Sequence, residues 1–327
     1  MSAAPEAAPS WRPGASLTTL RQRAALMAQL RDFFAQRQVL EVTTPILSRG
    51  GATDPGLASL STQISGTAHP GRYYLHTSPE FAMKRLLAAG SGPIYQLAPC
   101  FRDTEHSQRH NPEFWMLEWY RPGWSLAQLQ TECIELVDLL LGPAAYTQMT
   151  YTQALVRFAG VHPFDSSLSE LQDACVRFAR IDAEDLDRDA CLDLLISHPV
   201  EAALRTLGRV IIHDFPASQA ALAKIHLNEA GHAVAKRFEL YINGIEIANA
   251  YQELTQAQEQ AHRFAADNQT RRAQGKPAVQ ADMALLHALE AGLPECSGIA
   301  LGFDRLLMLS VGAQSLDEVL SFSLARC

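Results

Sequence analysis

Residues 101–120 read FRDTEHSQRHNPEFWMLEWY, and the end of this stretch alternates with the period of two that is typical of a β-strand. One face of that strand would carry a carboxylate and a phenol among apolar side chains: Phe114, Met116, Glu118 and Tyr120. The other would be a packing face: Trp115, Leu117 and Trp119. Because a carboxylate is unusual in a core, the first face is predicted to form the floor of a pocket.

A second strand is predicted just upstream, at residues 94–102, ending at Arg102. The two strands would form a hairpin whose loop, residues 103–113, is much longer than a tight turn, and such loops are often functional. A guanidinium at a strand end can bind phosphate oxygens in two places, and a neighbouring aromatic ring can stack on a purine. An ordinary hairpin with surface charges fits the same residues.

The 327 residues, 47% of them hydrophobic, suffice for one large or two modest domains. Residues 1–15 are rich in Ala, Pro and Ser and are predicted to form a disordered tail. No stretch approaches the roughly 18 consecutive apolar residues of a membrane span, and no secretory signal is visible. We therefore expect a cytoplasmic protein without a membrane partner.

The six cysteines are scattered without a CxxC pair, which argues against a zinc site and favours reduced thiols. The formal net charge is -8, whereas a large nucleic-acid surface normally shows as a basic surplus. Tight tRNA binding by this chain alone is therefore not expected.

Residues 20–38 have apolar positions at helical spacing and precede a short strand at 39–42, which Pro45 ends or confines to a sheet edge. An edge strand after a long helix is a plausible dimer element, although a plain helix–strand unit fits equally well. Residues 151–207 read as short helices without a catalytic signature.

Two β-rich runs flank Asn243 and Gly244, which predicts a hairpin with a type I′ turn. Glu246 and Glu253 follow it seven residues apart, so strict alternation would place them on opposite faces. Both can serve one site only if the strand ends or bulges near residues 250–252.

Two helix starts complete the pattern. Ser78, Pro79 and Glu80 suit an N-cap, a first helical residue and an acidic first turn. The stretch SGIALG reads as a strand that runs into a helix at Gly302, where free N–H groups and Arg305 would meet an anion.

Together, two arginines, two carboxylates and an aromatic platform suit a bent nucleoside triphosphate with a divalent metal ion between carboxylates and phosphates. Neither a GxxxxGK[ST] P-loop nor a GxGxxG dinucleotide motif occurs.

The sequence resembles the catalytic domain of a class II aminoacyl-tRNA synthetase of the lysyl type. Its three motifs match the segment ending in LEVTTP, with Pro45 at a dimer interface, then FRDTEHSQRHNPEF, then GIALGFDRLLML. TSPEFAMKRLL, FPASQAALA and GIEIANAYQEL are similar to one branch, the elongation factor P–(R)-β-lysine ligases, which are stand-alone paralogues.

The resemblance implies an α+β fold with an antiparallel sheet flanked by helices and no appended anticodon-binding domain. The catalytic domain would span residues 16–327, with a helical insertion at about 151–207. It implies a homodimer that uses ATP and Mg²⁺ to activate (R)-β-lysine or lysine and transfers it to a lysine of elongation factor P.

The resemblance also assigns roles to matching residues. ATP binding is implied for Arg102, Asp103, Thr104, Asn111, Phe114, Glu246, Ile247, Gly302 and Arg305. The catalytic charges among these are Arg102 and Arg305. Substrate binding is implied for Ser78, Pro79, Glu80, Glu118, Tyr120, Ala248 and Glu253. Metal binding is implied for Glu246 and Glu253.

Three departures from the family pattern stand out. RDT at residues 102–104 replaces the usual RNE, and Ala250-Tyr251 replaces Gly-Phe. Ala248 stands where lysyl-tRNA synthetases have glycine and the ligases have alanine, and its methyl is predicted to tune the choice between β-lysine and α-lysine.

Three other functions are compatible with parts of this pattern. A stand-alone asparagine synthetase would need cations around its substrate, which Glu80 and Glu118 oppose. A non-catalytic amino-acid sensor typically loses the motif arginines, and both are present. A truncated lysyl-tRNA synthetase that charges tRNA is separated from the ligase by its acceptor.

Overall fold

The computed structural model describes residues 11–103 and 107–327, and within these ranges one nine-stranded sheet runs through the chain. The strands are β1 (Leu40–Glu41), β2 (Leu47–Ser48), β3 (Ser61–Ile64), β4 (Gly71–Leu75), β5 (Ile94–Phe101), β6 (Glu113–Pro122), β7 (Tyr146–Thr150), β8 (Arg209–Pro216), β9 (Ile225–Leu227), β10 (Ala233–Ile242), β11 (Ile245–Gln252) and β12 (Cys296–Gly302). The helices are α1 (Leu17–Gln36), α2 (Glu80–Ala88), α3 (Leu126–Leu141), α4 (Tyr151–Phe158), α5 (Leu168–Ala179), α6 (Arg188–Leu195), α7 (Glu201–Leu204), α8 (Ala257–Ala273), α9 (Met283–Gly292) and α10 (Phe303–Val311).

The large sheet has the order β1-β5-β6-β12-β11-β10-β8-β7, with β9 paired to β10, and β2, β4 and β3 form a separate small sheet. Only the two outermost pairs, β1 with β5 and β7 with β8, are parallel among the described pairings. The α+β prediction is therefore confirmed, and β1 is an edge strand.

The main core fills the space between one face of the large sheet and helices α1, α3 and α10. Leu117 and Trp119 lie in this core with no exposed surface, as the alternation of β6 predicts. Tyr120, on the opposite face, packs with residues of α2 and α9. The alternation therefore separates a packing face from a second face that carries Glu118.

Residues 151–207 contain α4 to α7, and their apolar side chains form a separate cluster with β8.

Near the N-terminus, Ala15 is buried, and the N–H groups of Gly14 and Ala15 donate to the carbonyls of Ser321 and Leu320. Disorder was predicted for residues 1–15. That prediction is wrong for Gly14 and Ala15, which bind the C-terminal segment, and residues 1–10 lie outside the described part.

The β10–β11 hairpin has the predicted turn, because Asn243 and Gly244 both adopt positive φ, of 52° and 70°. Its register shifts once, so that Tyr241 pairs with Glu246 but Leu240 pairs with Ala248. Ile247 is thus the extra residue of a β-bulge.

The bulge decides which face Glu246 occupies. Ile247 and Ala248 are consecutive and both belong to the main core, so alternation is interrupted there. Glu246 consequently shares the non-core face with Asn249 and Tyr251. For Glu246 and Glu253 to share a site, the strand was expected to end or bulge near residues 250–252. It does end at Gln252, and the bulge lies earlier, at Ile247.

Candidate functional site

The candidate site lies on the non-core face of β6, β12, β11 and β10. Register places Ala300 of β12 beside Glu118 and Gly298 beside Tyr120. A Cβ built on Gly298 would come within 2.3 Å of the Tyr120 ring and 2.4 Å of Glu253 Oε1. Gly298 is therefore required for the close approach of Tyr120 and Glu253 across the sheet.

Glu118 and Glu253 are almost completely buried carboxylates on this face, each with 1% of its surface exposed. The Ser78 hydroxyl donates to Glu118 Oε1 over 2.5 Å, and the Tyr120 hydroxyl donates to Oε2 over 3.3 Å. Burial, and then the nearby charge of Glu80, raise the pKa of Glu118 to about 8. A buried carboxylate held by neutral donors is ready to receive a cation.

Helix α2 contributes Glu80 to the acidic group. The helix begins at Glu80 with Pro79 as its cap, one residue later than predicted, and Ser78 Oγ accepts from the Glu80 N–H over 3.0 Å. Lys84, with 1% exposure, lies 2.6 Å from Glu80 Oε1 and 2.6 Å from Glu253 Oε2. Three predicted substrate carboxylates are thus gathered, and a lysine that the sequence analysis missed joins two of them.

The opposite end of the face carries positive charge. The Arg102 guanidinium lies 5.1 Å from the centre of the Phe114 ring, and its buried Nε has no hydrogen-bond partner among the described residues. Arg305 Nη1 donates to the Glu246 carbonyl over 2.9 Å, and its Nη2 lies 3.0 Å from His110 Nε2. An unpartnered buried guanidinium nitrogen indicates an anionic ligand.

His110 contributes no positive charge to this group. Burial, followed by the charges of Arg305 and Arg102, lowers the pKa of His110. The imidazole is therefore neutral near pH 7 and can accept a hydrogen bond from Arg305.

The junction of β12 and α10 is packed without crowding at Gly302. A Cβ built on Gly302 would meet its nearest neighbour, Arg305 Cδ, at 3.6 Å, which is ordinary contact. Asp304 points the other way: it is 2% exposed, and it accepts from Arg23 over 2.5 Å and from the Trp115 N–H over 2.7 Å. Asp304 therefore fixes the helix, while Arg305 faces the site.

Two predicted metal ligands, Glu246 and Glu253, share the face but have different partners. Glu246 lies 3.8 Å from Arg305 and keeps 40% of its side chain exposed, whereas Glu253 is bound to Lys84. Glu239 is a further carboxylate near Glu246. Burial raises the pKa of Glu239, Arg237 lowers it, and Glu246 raises it again.

Glu239 was missed from the sequence, although it precedes Glu246 by the same seven residues that separate Glu246 from Glu253. Its carboxylate accepts from Arg237 and from the Tyr241 hydroxyl. Among the described residues, no group of three or more His, Cys, Asp or Glu side chains could hold a metal ion by itself. Magnesium is commonly bound by one or two carboxylates with phosphate oxygens completing its ligands, and Glu239 and Glu246 fit that arrangement.

The remaining predicted residues take varied places. Asn111 is buried, donates to the Glu113 carbonyl over 2.6 Å and accepts from the Leu324 N–H over 3.0 Å, so its side chain secures the loop. Asp103 is exposed, and its N–H donates to Ala58. Thr104 lies outside the described residues.

Ile247 and Ala248 are core residues. Ala248 is 1% exposed and pairs with Leu301 on the packing face, so the prediction that its methyl lines the substrate pocket is wrong. The alanine on the same face as Glu118 is Ala300, which is partly exposed.

Comparison with known proteins agrees with this geometry. A family model described as tRNA synthetases class II (D, K and N) matches residues 10–326. Relatives named elongation factor P–(R)-β-lysine ligase include a Vibrio vulnificus protein, 48% identical over 95% of this chain and 97% of its own length. Another, from Salmonella typhi, is 45% identical over 97% of this chain and 98% of its own length. The chain therefore belongs to the class II tRNA synthetase family of the D, K and N type.

Proposed function

We propose that this protein is an ATP-dependent ligase that activates (R)-β-lysine, or lysine, as an adenylate and transfers it to the ε-amine of a lysine on elongation factor P. The observation that carries the proposal is that one face of the sheet holds a buried acidic group, Glu80, Glu118 and Glu253, together with two arginines, Arg102 and Arg305. The names and near-complete coverage of the relatives support the same reaction.

The acidic group is suited to the ammonium groups of the amino acid. Glu118, Glu80 and Glu253 are each wholly or largely buried. They would therefore accept hydrogen bonds from the substrate's N–H donors with little competition from water. An aspartate or asparagine precursor would bring a carboxylate into this group and be rejected by repulsion. The site is therefore a poor fit for an asparagine synthetase.

The first step joins the amino acid to AMP. A carboxylate oxygen of the substrate attacks the α-phosphorus, the bond to the bridging oxygen breaks, and pyrophosphate leaves. Arg102 and Arg305 would offset the charge that develops on the phosphoryl oxygens, and Phe114 would offer a face to the adenine. Retention of both arginines also disfavours a sensor without catalysis.

Magnesium, when bound, would supply charge neutralisation between the phosphates. Glu239 and Glu246 would hold it, because they are neighbouring carboxylates on the nucleotide half of the face. In the second step the acceptor amine attacks the acyl carbon and loses a proton, and AMP departs as the amide forms.

The acceptor is tested directly by mass. Purified elongation factor P, incubated with this protein, ATP, Mg²⁺ and (R)-β-lysine, is expected to gain the mass of one lysyl residue in an intact-mass spectrum. A factor whose acceptor lysine is replaced by arginine serves as the control. Efficient charging of tRNA with lysine alongside an unmodified factor would instead identify a truncated lysyl-tRNA synthetase.

Glu239→Gln is expected to raise the Mg²⁺ concentration for half-maximal pyrophosphate exchange by about tenfold or more, because a carboxylate at the metal is lost. The matched control is Glu229→Gln, an exposed carboxylate in the β9–β10 turn. An unchanged Mg²⁺ requirement in Glu239→Gln would return the metal role to Glu253.

We also propose a cytoplasmic homodimer. No helix in the described ranges is long and apolar enough to cross a bilayer. The β1 edge and the segment after it expose apolar side chains: Leu40 at 56%, Ile46 at 37% and Leu47 at 40%. Such a patch beside an unpaired strand edge suits a two-fold interface.

Light scattering is expected to give twice the chain mass of 35.9 kDa. Leu40→Glu should reduce it toward the single-chain mass, because a charge would be buried in the interface. Leu139→Glu, at a leucine 53% exposed on α3, is the control and should leave the dimer intact. A monomer at micromolar concentration for the unaltered protein would contradict this assignment.

A further inference from the structure

Lys84 is a fully buried cation that the proposed reaction does not use. It lies on α2 one turn after Glu80, and its ammonium contacts one oxygen of Glu80 and one oxygen of Glu253 at 2.6 Å each. Burial acts to lower the pKa of Lys84, but the two carboxylates outweigh it and raise the pKa above its ordinary value. The side chain is therefore a permanent ammonium with two anionic partners.

The contacts of Lys84 involve residues from distant parts of the chain. Glu80 comes from the start of α2, while Glu253 follows the last residue of β11. Without a cation between them, two buried carboxylates would repel each other and reorient, because an unpaired buried charge is strongly unfavourable. Lys84 thus fixes the relative position of two carboxylates, one on a helix and one at the end of a strand.

Each ion pair uses only one of the two oxygens of its carboxylate. Lys84 contacts Oε1 of Glu80 and Oε2 of Glu253, so the second oxygen of each is not used by these pairs. Oε1 of Glu253 lies over Gly298, next to the Tyr120 ring that borders Glu118. Oε1 of Glu253 is therefore directed toward the same floor as Glu118.

We propose that Lys84 is a positioning residue for the amino-acid substrate: by joining Glu80 to Glu253 it holds three carboxylates in the arrangement that receives a molecule with two ammonium groups. The inference rests on the proposed function. Once Glu118 is ionised, as ammonium binding requires, three carboxylates, of which Lys84 offsets one, leave two negative charges, and lysine and β-lysine each carry two ammonium groups.

Lys84→Ala is expected to raise the KM for lysine in ATP–pyrophosphate exchange by about 10²-fold, as for loss of a buried charge partner at a binding site. The KM for ATP should change by less than about threefold, because Arg102 and Arg305 do not contact this group. Arg85→Ala, which removes the next, exposed cation of the same helix, should change neither.

Chemical rescue separates positioning from packing. Propylammonium added to Lys84→Ala restores a cation and fills the space, and it is expected to lower the lysine KM at least tenfold. Propanol fills a similar space without charge and should not. Equal rescue by both compounds would overturn the proposal in favour of simple packing.

Three further outcomes are decisive. Lys84→Met keeps the side-chain length without charge and is measured in parallel; failure of both variants to yield folded protein would make Lys84 a stability residue and refute the proposal. An unaltered protein with no lysine-dependent or β-lysine-dependent exchange would refute the proposed function. An active protein whose Lys84→Ala variant keeps its lysine KM would refute the positioning role alone.

Discussion

Arg102→Ala is expected to lower the rate of lysine-dependent pyrophosphate exchange by about 10²-fold or more, the usual loss for a fixed donor at developing charge. Arg102 follows the last residue of β5, its N–H donates to the Pro112 carbonyl, and its buried Nε has no partner among the described residues. The guanidinium is thus prepared for a phosphate before one arrives. The effect should fall mainly on kcat, because the interaction grows as charge develops.

The control for this change is Arg21→Ala, which removes an exposed arginine on α1. It should leave exchange unchanged, and both variants should melt within a few degrees of the unaltered protein. Near-normal exchange by Arg102→Ala would show that the phosphate is held elsewhere and that the family's role for this residue does not carry over.

Lysine use is expected to depend on pH through Glu118. The pKa of this carboxyl is raised to about 8, first by burial and then by Glu80, so it is largely protonated at pH 7 without substrate. Binding an ammonium requires the charged form. The kcat/KM for lysine should therefore rise about tenfold per pH unit below pH 8 and level off above it.

The groups facing Glu118 determine how that profile is checked. Ser78 and Tyr120 donate to it and lower its pKa, and Arg102 lowers it from a greater distance. Glu118→Gln should abolish the rise between pH 6 and 8 and increase the lysine KM by about 10²-fold or more, while Tyr120→Phe should move the rise to higher pH. An unchanged profile in Glu118→Gln would assign the titration to another group.

Much of the fold could be predicted because its signals are local. The helix α1, the hairpin of β5 and β6 and the turn at Asn243 and Gly244 each follow from neighbouring residues. The arginines could also be located, since strand and helix ends are visible in the sequence. Their roles depended on resemblance to a family.

The bulge at Ile247 and the contact of Lys84 with Glu253 could not be predicted in the same way. The period-two alternation of a strand cannot reveal an extra residue, because the position of a bulge is fixed by the pairing of β10 with β11. The error for Ala248 follows directly, since its face depends on that register. Lys84 follows Glu80 by four residues, a spacing that predicts their contact on a helix, but it meets Glu253 only through the tertiary fold.

Asp304 gives the nucleotide half of the site a rigid base. It joins the side chain of Arg23 on α1 and the backbone of Trp115 on β6 to the first turn of α10. The backbone of the next residue, Arg305, is therefore held in place, and only its side chain, 24% exposed, has to exchange its contacts with Glu246 and His110 for a phosphate. The entropy lost when a triphosphate binds there is confined to the rotamers of one side chain rather than a whole segment.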